Sequence, residues 1–175
     1  MKKEDLMVAG LALLAAISVV ANKANALETV LENTNHVVVQ PKISKQEMAI
    51  KKYTNAISLN DQELKELLEA VGFTGKGLKM AWAISKTESN GRPLAFNGNK
   101  QTGDASYGIF QINMLGDLGP ERREKFGLSS NAELFNPVKN AQIAFHMTSG
   151  GDDWSAWKHG QSERTKDFIL KYPTI

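Results

Sequence analysis

Glu88 is the residue whose type and setting best suit acid–base chemistry. Leu78, Ala81, Trp82, Ser85 and Glu88 recur at spacings of three and four, so on a helix they share one face with the acid at its end. A carboxyl placed there is partly desolvated, which disfavours its charged form and raises its pKa toward the range a general acid needs near neutral pH. Asn90-Gly91 directly after it is a helix stop, built from residue types that tolerate the left-handed closing conformation. A polar stretch rich in Gly and Asn follows, and then a compact block from Gly103 to Asn113 that can form the opposite wall of a cleft. In that block Asp104 is a further acid, and Gln111 and Asn113 contribute amides.

Other chemistries find little to work with. No serine sits in a Gly-x-Ser-x-Gly elbow, and the chain has no cysteine, which excludes disulfides, thiolate nucleophiles and thiolate metal sites. The histidines His36, His146 and His159 are scattered without an acidic partner at fixed helical spacing, so neither a metal nor a cofactor is expected. Trp154-Ser155-Ala156-Trp157 offers flat apolar rings of the kind that complement the C–H faces of sugars, with one ring expected in the core.

The elements that must position these residues read as mainly helical. Ser44-Lys45-Gln46-Glu47 has capping-box form and predicts a packing helix over 45–58 with Ile50, Tyr53 and Ile57 inward. Asn60 starts another helix, carrying Leu64, Leu67, Leu68 and Val71 inward and ending at Gly72; a Gly75-Lys76-Gly77 turn then leads to the helix of Glu88, where Trp82 is a core residue. Residues 92–107 read as a small β-region, with Asn97-Gly98 as a hairpin-type dipeptide. Gly108 to Met114 is expected to return to helix, whose period lets only one of Phe110 and Ile112 face the core and leaves the other to line the groove. Short helical pieces are expected between Asp117 and Glu133. Asn136-Pro137 opens a helix with Val138, Ala141, Ala144, Phe145 and Thr148 inward, stopped by Gly150-Gly151. Ser162 caps a last helix carrying Phe168, Ile169 and Tyr172 until Pro173. Lys51-Lys52 and Arg122-Arg123 read as solvated faces.

With 175 residues there is room for one catalytic domain plus extras, and no repeat, heptad or low-complexity segment is present. The formal charge of +2 lies entirely in residues 1–59, leaving 60–175 balanced, which argues against nucleic acid as a partner. Leu6 to Ala21 is an uncharged apolar run of sixteen residues behind Lys2-Lys3. Its length lies between a signal-peptide core and a full span of about 20 residues, and Ala24-Asn25-Ala26 offers a cleavage site after Ala26. Residues 1–26 are therefore expected to be a retained N-terminal apolar helix anchoring the chain in a membrane, or a cleaved signal segment. The basic start favours leaving the domain outside. Residues 27–59 read as a tether and packing helix.

Glu88-Ser89, then Ser106-Tyr107-Gly108-Ile109-Phe110-Gln111-Ile112-Asn113, then Asn136-Pro137 with Asn140 and Ala144, then Gly150-Gly151-Asp152-Asp153-Trp154-Ser155-Ala156-Trp157 resemble the lysozyme-like superfamily. Within it the match is to soluble lytic transglycosylase-type domains of phage particles and bacterial secretion machines, over roughly residues 60–175. The resemblance implies an α+β, mainly helical lysozyme-like domain with a small β-region, acting on peptidoglycan glycan strands. Glu88 would be the catalytic acid, and Asp104, Ser106, Tyr107, Gln111, Asn113 and Trp157 candidate substrate-binding residues. Lysozymes that use two carboxylates place an Asp immediately before this Tyr-Gly, where this chain has Ser106. That departure favours a lytic transglycosylase, which needs one Glu and ends its product in a 1,6-anhydro sugar. The alternatives are a hydrolase using Glu88 with Asp104, and a membrane-anchored glycan-binding protein without catalysis. The expected setting is an exported or membrane-anchored envelope protein, or a virion component within a larger assembly.

Overall fold

Helix caps written into the sequence set the frame. The computed structural model describes residues 43–99, 101, 104–158 and 162–174. Helix α1 (Lys45–Tyr53) is closed at its start by the Ser44–Glu47 capping box, and α2 (Asp61–Val71) by Asn60 and Glu63 in the same arrangement. Gly72, at φ 119°, ends α2 in the left-handed conformation, and the amide of Phe73 returns to the carbonyl of Leu68. Leu64, Leu67 and Leu68 on α2 are buried, and α2 lies against α1, against α3 (Gly75–Ser89) and against the helix over Pro137–Met147.

Two boundaries differ from the sequence-based expectation. Helix α1 stops at Tyr53 instead of running to residue 58, and Ile57 is 73% exposed rather than inward. The hydroxyl of Thr54 donates to the carbonyl of Ile50 beside the backbone amide that already uses it, which favours a cap over a further turn. Gly75-Lys76-Gly77 is the first turn of α3, not a linker before it. Gly77 lies against the Gly150-Gly151 loop, where a Cβ would stand 3.3 Å from the backbone of Gly151 and the loop would have to give by a few tenths of an ångström.

Helix α3 carries the core side chains Leu78, Ala81, Trp82 and Ile84, and Trp82 donates its indole N–H to the carbonyl of Asp61 over 3.0 Å. Asn90 at φ 58° closes it. A three-stranded antiparallel sheet follows in the order β1 (Phe96–Asn97), β2 (Ser106–Tyr107), β3 (Ile112–Asn113), with Phe96 opposite Tyr107 and Ser106 opposite Asn113. Asn97 pairs with Ser106 at the end of β1, so Asn97-Gly98 opens a longer connection rather than forming a two-residue hairpin turn. The expected helix over 108–114 is also absent. Gly108, at φ 72°, and Gln111, at φ 47°, make a turn into β3, and outside a helix Phe110 and Ile112 are both buried.

Helix α4 (Leu118–Phe126) and a 3₁₀ turn over Asn131–Phe135 lead into α5 (Pro137–Met147). The Asn136 side chain accepts from the amides of Val138 and Lys139, the cap its Asn-Pro pair predicts. Helix α6 (Glu163–Leu170), capped by Ser162, packs on α3, with Phe168 and Tyr172 edge-on to Trp82. Phe73 joins Phe110, Phe145 and Trp154 in an aromatic cluster between α2 and the 150–157 loop. Among the described residues no buried side-chain polar atom lacks a partner, and no helix is long and apolar enough to cross a membrane. The Leu6–Ala21 run and the tether lie outside the described residues.

Candidate active site

Glu88 is half-buried in the last turn of α3, and its neighbour Ser89 locks that turn in place. The Ser89 hydroxyl lies 2.7 Å from the carbonyl of Ile109 and 3.1 Å from that of Ser85, joining the end of α3 to the turn on the far wall. The far wall is fixed from behind by Asn140 of α5, fully buried. Its Oδ1 accepts from the amide of Phe110, and its Nδ2 donates to the carbonyls of Tyr107 and Leu134. Gly108 is required by the same clamp, because a Cβ there would stand 2.3 Å from the carbonyl oxygen of Leu134.

Between these walls lies a cavity of about 300 Å³, lined by Glu88, Asp104, Gln111, Asn113 and Trp157 together with Ile112, Arg122, Met147, Ala156 and Lys158. Gln111 holds the strained left-handed backbone of the turn by donating its Nε2 to the carbonyls of Gly108 and Ala95, at 2.9 and 3.2 Å. Asn113 accepts the amide of Leu115 on its Oδ1. Trp157 is anchored by its indole N–H on the carbonyl of Phe110, 2.8 Å away, so its ring is core on one side and cavity wall on the other. Asp104 accepts from Asn97 Nδ2 over 2.6 Å and from the hydroxyl of Ser106.

Five of the seven sequence-predicted residues thus meet in one cavity, and Ser106 and Tyr107 do not line it. Ser106 is 5% exposed and its hydroxyl is spent on Asp104; the Tyr107 ring packs between Phe96 and Phe135. Ile112 is the member of the Phe110/Ile112 pair that reaches the cavity, although both are core. Arg122 and Lys158 were not anticipated. Arg122-Arg123 is not a solvated pair: Arg122 is half-buried with its Nη1 on the carbonyl of Asn113, while Arg123 bonds Asn131 Oδ1. Nothing in their shared sequence context separates those two fates.

A second opening of about 560 Å³ shares Trp157 and Lys158 with the cavity and extends past Trp154, Ser155 and Met80. A depression of about 500 Å³ between α1, α2 and α5 contains Glu47, but that carboxylate is occupied capping α1. Among the described residues no group of side chains is arranged to hold a metal ion. His146 is exposed and edge-on to Phe126, and His36 and His159 lie outside the described residues.

A family model described as a lysozyme-like domain matches residues 65–159, more than half of the chain and every one of the residues above that line the cavity. The chain belongs to the lysozyme-like domain family. No curated protein and no solved structure matches it. The half-buried Glu88 at the end of α3 lies in the wall of this cavity, and membership of the family points to muralytic activity on peptidoglycan.

Proposed function

We propose that this lysozyme-like domain is a peptidoglycan lytic transglycosylase, cleaving the β-1,4 bond between N-acetylmuramic acid and N-acetylglucosamine. The observation that carries the reading is Glu88, half-buried at the rigid end of α3 in the wall of the cavity. In the first step the protonated carboxyl gives its proton to the glycosidic oxygen as the C1–O bond breaks, leaving oxocarbenium character at C1. The carboxylate then takes the proton of the muramyl 6-hydroxyl, whose oxygen bonds to C1 and closes the 1,6-anhydro ring. The 6-hydroxyl is tethered to the reacting sugar, and well-oriented intramolecular groups reach effective concentrations of about 10⁵ M or more, far above that of water. Asp104 is not needed in this sequence of steps. Both of its oxygens accept hydrogen bonds from its own loop, through Asn97 and Ser106, which weakens it as a nucleophile.

A second reading is supported by one observation: Asp104 lines the same cavity as Glu88. As a fixed carboxylate it can stabilise the cationic centre while water attacks, which is lysozyme-type hydrolysis. The apolar run at Leu6–Ala21 supports work at a membrane, as in local wall opening by an envelope machine or an entering phage particle. Detergent-dependent extraction of a chain whose intact mass includes Lys2 tests the anchor, and a mature start at Leu27 would refute it. Incubation of the full-length chain with purified sacculi tests the activity. Soluble muropeptides should be released, and intact sacculi after prolonged incubation at several pH values would leave only the glycan-binding alternative.

A further inference from the structure

Arg122 lines the cavity without forming an ion pair to any described residue. Its Nη1 donates to the carbonyl of Asn113, which uses one of the guanidinium's five N–H donors. Among the described residues it makes no salt bridge, although burial draws its pKa down and the field of neighbouring Glu121 only partly offsets that. A half-buried cation with spare donors gains from an anion that completes it. Lys158, exposed, lines the same cavity and the opening that continues from it. A planar fork of donors is shaped for a carboxylate.

We propose that Arg122, assisted by Lys158, forms a carboxylate-binding subsite through which the cleft selects glycan whose sugar substituent carries a free acid. This rests on the peptidoglycan reading above. The acid has two sources in that polymer: the lactyl group of a muramyl residue stripped of peptide, or the side chains and terminus of an attached stem peptide. The rival role is a strut, in which Arg122 only ties α4 to Asn113; its loss would then matter equally on every substrate.

Full-length wild type and the variants Arg122→Gln, Arg122→Lys and Lys158→Gln are sedimented with sacculi in native, carboxyl-amidated and peptide-stripped forms, and muropeptide release is followed in parallel. Arg122→Gln should weaken retention on native sacculi on the order of tenfold. Amidation should weaken wild type by a similar factor and leave Arg122→Gln unmoved, a comparison in which general surface charge cancels. Arg122→Lys, which keeps charge and loses the fork, should fall between. Lys158→Gln, on an exposed side chain that folding does not need, should cost roughly two- to fivefold on native sacculi and nothing on amidated ones. Stripping that preserves the Arg122 effect identifies the lactyl acid as ligand, and stripping that abolishes it identifies the stem peptide. Equal losses on native and amidated sacculi, or none, overturn the subsite. Carboxylate-dependent retention without muropeptide release would instead overturn the enzyme reading and leave the subsite standing.

Discussion

Glu88 carries the account at the level of single residues. Replacing it by Gln keeps shape and removes only the transferable proton, so Glu88→Gln should abolish muropeptide release while the melting temperature stays within about a degree or two. Activity within about threefold of wild type would mean that another group is the acid. Asp104→Asn should cost no more than about threefold in the transglycosylase reading, because the amide retains an acceptor for Ser106; a hydrolase relying on it would lose several orders of magnitude. Glu133 is a third carboxylate with a defined outcome. Lys139, then the hydroxyl and amide of Ser129, hold it down to a pKa of about 2. Its folded pKa lies below its unfolded one, so its stabilisation is present above the ordinary carboxylate range and lost as pH falls through about 2. Thermal melts of Glu133→Gln should therefore lie below wild type at neutral pH and converge with it in acid; a pH-independent gap would contradict the assignment.

At the level of elements, the far wall depends on a residue of α5. Asn140→Ala would leave the amide of Phe110 and the carbonyls of Tyr107 and Leu134 without the side chain that pairs them, at about 1–3 kcal/mol for each buried group. The expected result is a destabilisation of about 3 kcal/mol or more in denaturant unfolding, with activity falling beyond what the loss of folded protein explains. A variant as stable as wild type would remove Asn140 from the account. Local chemistry explains which elements the sequence made legible. Caps at Ser44, Asn60, Asn136 and Ser162 are decided within a few residues, and so is the stop after Glu88. The segment 108–114 reads as helix in the sequence, but its conformation is set from a distance. Gly108 and Gln111 adopt positive φ against Asn140, some thirty residues away, while the apolar run Ile109-Phe110 by itself is equally compatible with a helix. Arg122 is set from a distance in the same way: only the docking of α4 against β3 distinguishes it from Arg123.

For the whole molecule, the proposed reading, with Glu88 as the proton-transfer acid and Asp104 tied into its own loop, makes a statement about product, not only about rate. Balanced charge over residues 60–175 fits a polymer bound by shape, amides and an aromatic wall rather than by bulk electrostatics. Mass spectrometry of the muropeptides released from sacculi by the full-length chain tests that statement most directly. Glycan ends should be 1,6-anhydro-muramyl, one water lighter than reducing ends, and should remain so in Asp104→Asn. Predominantly reducing ends, lost together with activity in Asp104→Asn, would contradict the transglycosylase assignment and establish Glu88 and Asp104 as a hydrolytic pair.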